Sequence, residues 1–143
     1  MPIETSAQTL VARAQERVTT LSPADVAARR GDANVLLVDL RDIRERKREG
    51  YIPGSMHVPR GMLEFWASPA SPYFRDYFQE DRRTVVFCAG GGRSVYATLA
   101  LRDMGFSNVA HLEPGFKGWQ EAGEPIEDVG KTSRWVRRPK LEA

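Results

Sequence analysis

Two unbroken apolar runs, Val35-Leu36-Leu37-Val38 and Thr84-Val85-Val86-Phe87-Cys88, interrupt a chain that is otherwise dense in charge. Neither alternates with polar residues, which is the pattern of a strand covered on both faces. Val109 to Leu112 predicts a third, shorter strand. Elsewhere the apolar period is helical. Ala7, Leu10, Val11, Ala14 and Val18 recur at helix spacing behind Thr5 and Gln8, which are placed as a capping box. A second helix starts at Ser22, with Pro23 at its first position, Asp25 at its positive end and Leu21 and Val26 spaced as a hydrophobic staple. Gly31 stops it.

Charges crowd Arg41 to Glu49, which reads as a solvated helix or turn broken by Gly50 to Gly54. Gly61 to Trp66 predicts a short helix, and Pro69 and Pro72 a loop. From Ser94 onward Tyr96, Leu99, Ala100 and Met104 share a predicted helical face that ends at Gly105, and Phe116 to Ala122 forms a last short helix before Gly123. Strands alternating with helices predict an α/β domain whose parallel sheet carries helices on both faces. Such sheets bind ligands beyond the carboxyl ends of their strands. Cys88 and Asp39 both fall at that end.

Composition changes this picture little. At 143 residues, 41% apolar and 28% charged, the chain suits one globular domain. A net charge of +2 is too small to argue for nucleic acid. One cysteine excludes an internal disulfide framework and cysteine-rich zinc spacing, and fits a reducing compartment. Met1 to Thr5 carries an acid and no apolar core, and no run approaches a membrane span. The expectation is a cytoplasmic protein without membrane or nucleic-acid partners. Its organisation reads as an N-terminal helical extension over 1–18, a domain over 19–128 and a basic tail over 129–143. Lys131, Arg134, Arg137, Arg138 and Lys140 surround Trp135 in that tail, which reads as a solvated segment.

The chemistry concentrates where the second run ends. Cys88 is followed by Ala89, three glycines and then Arg93 and Ser94, which open a helix. Glycines allow positive φ, and successive inward N–H groups make an anion-binding nest. A helix N-terminus adds partial positive charge. The expectation is a sulfur nucleophile in a cradle made by Ala89, Gly90, Gly91, Gly92, Arg93 and Ser94, with Arg93 stabilising the thiolate or an incoming anion. The alternative is a small inert hydrophobe ending a strand, but a glycine triplet is a poor choice for ordinary packing.

Three segments together resemble the rhodanese, or thiosulfate sulfurtransferase, family. Leu37-Val38-Asp39-Leu40-Arg41-Asp42 leading to Gly50-Tyr51-Ile52-Pro53-Gly54-Ser55-Met56-His57-Val58-Pro59 resembles the family's Asp-x-Arg strand end and its Gly-x-Ile-Pro-Gly motif. The Cys88 loop is the second segment. Gly115-Phe116-Lys117-Gly118-Trp119 with Gly123 and Pro125 resembles the C-terminal signature. The ordered match spans about residues 20–128.

The resemblance implies a five-stranded parallel sheet and a two-step sulfur transfer through a Cys88 persulfide, with no metal and no organic cofactor. The implied partners are a small sulfur donor, thiosulfate or a glutathione-type persulfide, and a thiol or cyanide acceptor. A protein donor or acceptor, with the chain as a partner-fed carrier, is the second reading. A phosphatase or arsenate reductase is the third. Cys88 to Arg93 counts six residues, the length of the sulfurtransferase loop, whereas the related phosphatases and arsenate reductases use a longer one. Thiosulfate-specialised members often place a basic or polar residue directly after the cysteine, where this chain has Ala89 and then only glycines before Arg93. Asp39 and Arg41 are expected to brace the loop. Arg60 and Phe65, with Trp66, are candidates for the site mouth, although core packing suits the aromatics better. His57 and His111 are expected to be structural rather than catalytic, and Trp119 to be packing.

Overall fold

The computed structural model describes residues 3–129, and the basic tail from Lys131 to Lys140 lies outside them. Five strands form one parallel sheet: β1 (Thr19–Leu21), β2 (Val35–Asp39), β3 (Met56–His57), β4 (Arg83–Phe87) and β5 (Val109–Leu112), in the spatial order β1-β5-β4-β2-β3. All four pairings are parallel. Six helices connect and cover them: α1 (Ala7–Gln15), α2 (Pro23–Arg29), α3 (Ile43–Glu49), α4 (Leu63–Ala67), α5 (Gly92–Asp103) and α6 (Phe116–Glu121), with a 3-10 turn at Arg60–Met62 before α4.

Alternation along the strands divides the core in two. Leu36, Val38, Val86 and Val109 join Leu63, Ala67, Ala97 and Leu101 under α4 and α5. Leu37, Val85, Phe87, Ala110 and Leu112 join Leu21, Val26, Phe116 and Trp119 under α2 and α6. His111 stands between Ala110 and Leu112, so its side chain projects to the α5 face. That parity brings it to the site.

The expected elements form, with four revisions. α1 is capped by Ser6, whose Oγ accepts the Thr9 N–H at 3.1 Å, rather than by the Thr5 and Gln8 pair. Leu10 is largely exposed and Ala14 carries the buried face, packed towards α5. The α2 capping box forms between Ser22 and Asp25 as spaced. The segment after β2 is a helix, with a capping box of Asp42 and Glu45, but it is not simply solvated: Arg41 and Arg46 are buried.

In α5 the helical period is right and the phase is wrong. Val95, Ala97, Thr98 and Leu101 face inward with Ser94, while Tyr96 and Met104 are exposed. Two hydroxyls occupy the buried face because each finds a backbone acceptor, Thr98 Oγ1 donating to Ser94 O and Ser94 Oγ to Gly91 O. Last, β1 and β3 complete the five strands that the resemblance implied, but the hydrophobic pattern did not locate them. They are edge strands of three and two residues, too short to show a period.

Candidate active site

β4 delivers Cys88 to the carboxyl edge of the sheet and stops. Leu40 N–H donates to Phe87 O just before it, joining the ends of β2 and β4. Gly91 then takes φ +111, which side chains resist, and serves as the N-cap of α5 without any capping side chain. Its N–H turns back and donates to Cys88 Sγ at 3.0 Å. The positive end of a three-turn helix and an inward amide therefore face one sulfur. Cys88 itself is 1% exposed, whereas Gly90 at the loop tip is exposed.

The outside of the loop is held by α6. Phe116 N–H donates to Cys88 O at 2.8 Å and Lys117 N–H to Ala89 O at 3.1 Å. With those carbonyls tied outward, the Gly91 amide is left to turn in to the sulfur. Gly115 makes the approach possible: it has φ +83, and a Cβ there would sit 2.5 Å from Cys88 O. The glycine before α6 thus shapes the Cys88 loop although it lies far from it in sequence.

Asp39 and Arg41 brace the base of the site. Arg41 is fully buried, its N–H and Nε both donating to Asp39 Oδ1 at 3.0 Å and Nη2 to Asp39 Oδ2 and to Gly50 O. Its guanidinium also lies 3.9 Å over the Phe116 ring. Arg46 donates to the same carboxylate at 2.8 Å and to Ser55. One carboxylate therefore holds two guanidinium groups, and through them the ends of β2, α3 and α6. Arg46 gave no signal in the sequence beyond its charge; only the fold brings it to Asp39.

Arg93 pairs with Glu45 of α3 in a two-point ion pair of 2.8 and 3.1 Å. That hydrogen bond holds the Glu45 carboxyl below its usual range and raises the already high Arg93 value. Cys88 contributes a smaller electrostatic part to Arg93. The single loop cation is thus committed to a carboxylate.

The hydroxyl of Ser94 lies 3.7 Å from Cys88 Sγ and 3.0 Å from His111 Nδ1. His111 is fully buried, and desolvation keeps its basicity below the ordinary value of 6.5. Its Nε2 lies 3.2 Å from Thr20 Oγ1 on β1. Sequence reasoning placed His111 in a strand but could not join it to Ser94, because the contact depends on strand parity and on the true phase of α5. His57 is directed to backbone instead, its Nε2 2.7 Å from Arg41 O.

Beside Ala89 and Gly90 lies a depression of 260 Å³ lined also by Glu49, Phe116, Lys117 and Gln120. Arg60 and Phe65 are not among its walls: Arg60 donates to Glu64 at 2.7 Å, and Phe65 is exposed rather than packed in the core. Trp66 packs partly against the core, and Trp119 is fully buried with its indole N–H on Pro125 O.

A parallel five-stranded α/β domain with a cysteine loop between a strand end and a helix start defines the architectural class. Within that class the match is specific: the rhodanese-like domain family profile covers residues 22–122, and the chain belongs to that family. Its sheet aligns with a solved structure from Rhodopseudomonas palustris, described as a protein of unknown function and possible tyrosine phosphatase. That alignment has 46% identity and a TM-score of 0.83 over 89% of this chain and 98% of that one. The polysulfide-sulfur transferase of Wolinella succinogenes aligns at 28% identity and TM-score 0.69, over 85% of this chain and 86% of that one. A putative sulfur carrier protein of Bacillus subtilis is 28% identical over 88 residues, 62% of this chain. The chain spans 43% of that carrier protein and 32% of a tRNA uridine(34) hydroxylase of Cronobacter sakazakii.

Proposed function

We propose that the protein is a sulfurtransferase that carries sulfane sulfur on Cys88. The observation that carries this reading is the sulfur at the floor of a six-residue loop, Cys88 to Arg93, receiving the Gly91 N–H at 3.0 Å. In the first step the Cys88 thiolate attacks the outer sulfur of a donor and forms an S–S bond. The donor's own bond to that sulfur breaks, and its electron pair leaves with sulfite or a thiolate. The new terminal sulfur lies within the cradle of Ala89, Gly90, Gly91, Gly92, Arg93 and Ser94. In the second step a thiolate or cyanide attacks this terminal sulfur, and Cys88 leaves as the thiolate. Sulfur and cysteine supply all the chemistry, so neither step calls for a metal or organic cofactor.

A low-molecular-weight persulfide suits this site better than thiosulfate. A dianion needs cations, and Arg93 is already paired with Glu45, while in the neighbouring depression the charge of Lys117 is offset by Glu49. The likeness to a sulfur carrier protein supports a variant in which a partner protein loads Cys88. The possible tyrosine phosphatase among the relatives supports oxyanion chemistry as the second reading.

Intact mass after incubation with thiosulfate or glutathione persulfide separates these. Wild type is expected to gain one sulfur, more readily from the persulfide, and to lose it to cyanide, while Cys88→Ser gains none. A Cys88-dependent hydrolysis of an aryl phosphate, without any sulfur gain, would overturn the reading.

A further inference from the structure

Cys88 is buried, so its thiol proton has little direct contact with solvent. The protein offers a line of groups along the α5 face of the sheet: Cys88 Sγ, Ser94 Oγ at 3.7 Å, His111 Nδ1 a further 3.0 Å on, and Thr20 Oγ1 at 3.2 Å from His111 Nε2. Cys88, Ser94 and His111 are buried, and Thr20 is exposed on the edge strand β1. The register pairs Thr20 with His111, which fixes the outer half. We propose that His111 is a positioning residue that sets the charge of Cys88 by changing tautomer, and that Ser94–His111–Thr20 is the proton exit of the nucleophile.

The hydroxyl proton of Ser94 is the deciding element. It has three acceptors within reach, namely Gly91 O at 3.1 Å, His111 Nδ1 and the sulfur, and it can serve only one at a time. With His111 protonated at Nε2, Nδ1 accepts from Ser94 and the thiol can donate to Ser94 Oγ. With His111 protonated at Nδ1, the imidazole donates to Ser94 Oγ, and the Ser94 proton is released to a sulfur anion.

The two arrangements interconvert by one concerted shift. The thiol proton passes to Ser94 Oγ, the Ser94 proton to His111 Nδ1, the Nε2 proton to Thr20 Oγ1, and the Thr20 hydroxyl proton to water. The S–H bond breaks, its electron pair stays on sulfur, and one proton reaches solvent. His111 is neutral before and after, in keeping with the burial that lowers its basicity. Thr20 ends donating to Nε2, so every hydrogen bond points toward the thiolate.

Other charges face these groups. Arg93, with Glu45 behind it, acts on Cys88; Lys117 and Glu49 line the depression beside Ala89 and Gly90. Glu113, which accepts from Gln15 of α1, raises His111 slightly against the desolvation.

The inference rests on Cys88 as the nucleophile, and its test uses no sulfur donor, so it can fail while sulfur loading succeeds. Nitrogen-15 NMR of the wild-type imidazole is followed while Cys88 is titrated by alkylation rate. His111 is expected to move from the Nε2–H to the Nδ1–H tautomer at the pH where Cys88 ionises, and to hold one tautomer throughout in Cys88→Ser. His111→Asn keeps a polar partner for Ser94 but cannot exchange tautomers. Its alkylation midpoint is expected to rise by about one pH unit, a tenfold loss of thiolate. An imidazole that keeps one tautomer across the wild-type titration would overturn the proposal, whether or not the variant folds. So would an unchanged midpoint in folded His111→Asn.

Discussion

At the scale of single residues, the pair of Arg93 and Glu45 decides how much positive charge a substrate meets. Glu45 also accepts the Asp42 N–H at 3.1 Å as part of the α3 capping box. Glu45→Gln keeps that cap, since glutamine serves in the same position, and releases Arg93 from a full negative charge. The expected outcome is a several-fold lower KM for thiosulfate, with a smaller change for glutathione persulfide, checked by steady-state kinetics on both donors. Stability should change little, because a partly exposed pair contributes only about 0.2–1 kcal/mol. The pH dependence of that contribution has a definite sign. The Glu45 carboxyl is lowered in the fold, so its contribution is complete above the unfolded value and is lost as pH falls through the folded one. Cys88 and Arg93 were legible because strand end, glycines and helix start are consecutive. Glu45 was not, since it lies 48 positions away and meets Arg93 only across the folded site.

At the scale of elements, long apolar strands and capped helices declared themselves, while β1 and β3 gave no signal. Thr19 and Thr20 are exposed on β1, and β3 pairs on one edge for two residues. Their places are set by what they pair with, not by their own pattern. The same holds for α6, whose start supports the loop of another element. Gly115→Ala tests that dependence. A side chain there must adopt φ +83 and meet Cys88 O and Ala89 O, so either Gly115 or the loop has to shift. The strained conformation alone costs about 1–3 kcal/mol, and the clash adds to it. Denaturant unfolding should show a loss at least that large. Sulfur loading of Cys88, measured by intact mass on the folded fraction, should fall further than stability does, because the loop amides lose their orientation.

At the scale of the whole molecule, the Asp39 carboxylate is the point where separate parts of the fold are tied. It lies at the end of β2 and is fully buried, and it receives Arg41 and Arg46 through four side-chain and backbone donations. Arg41 continues to Gly50 O and the Phe116 face, and Arg46 to Ser55 before β3. The sequence motif pointed to Asp39 and Arg41 as a brace, but the second arginine turns a pair into a hub with excess positive charge. Glu49 meets part of that excess at 3.3 Å from Arg41. Asp39→Asn preserves shape and leaves two guanidinium groups without their shared carboxylate. Removing one partner of a buried ion pair costs about 3–5 kcal/mol, a large part of a small domain's total stability. The variant should therefore unfold at much lower denaturant, and Asp39→Asn combined with Arg46→Met should recover part of the loss, because the second change removes one stranded charge. If the double variant is no more stable than the single one, the two arginines do not depend on one carboxylate, and the ends of β2, α3 and α6 are held together by their remaining backbone hydrogen bonds and packing.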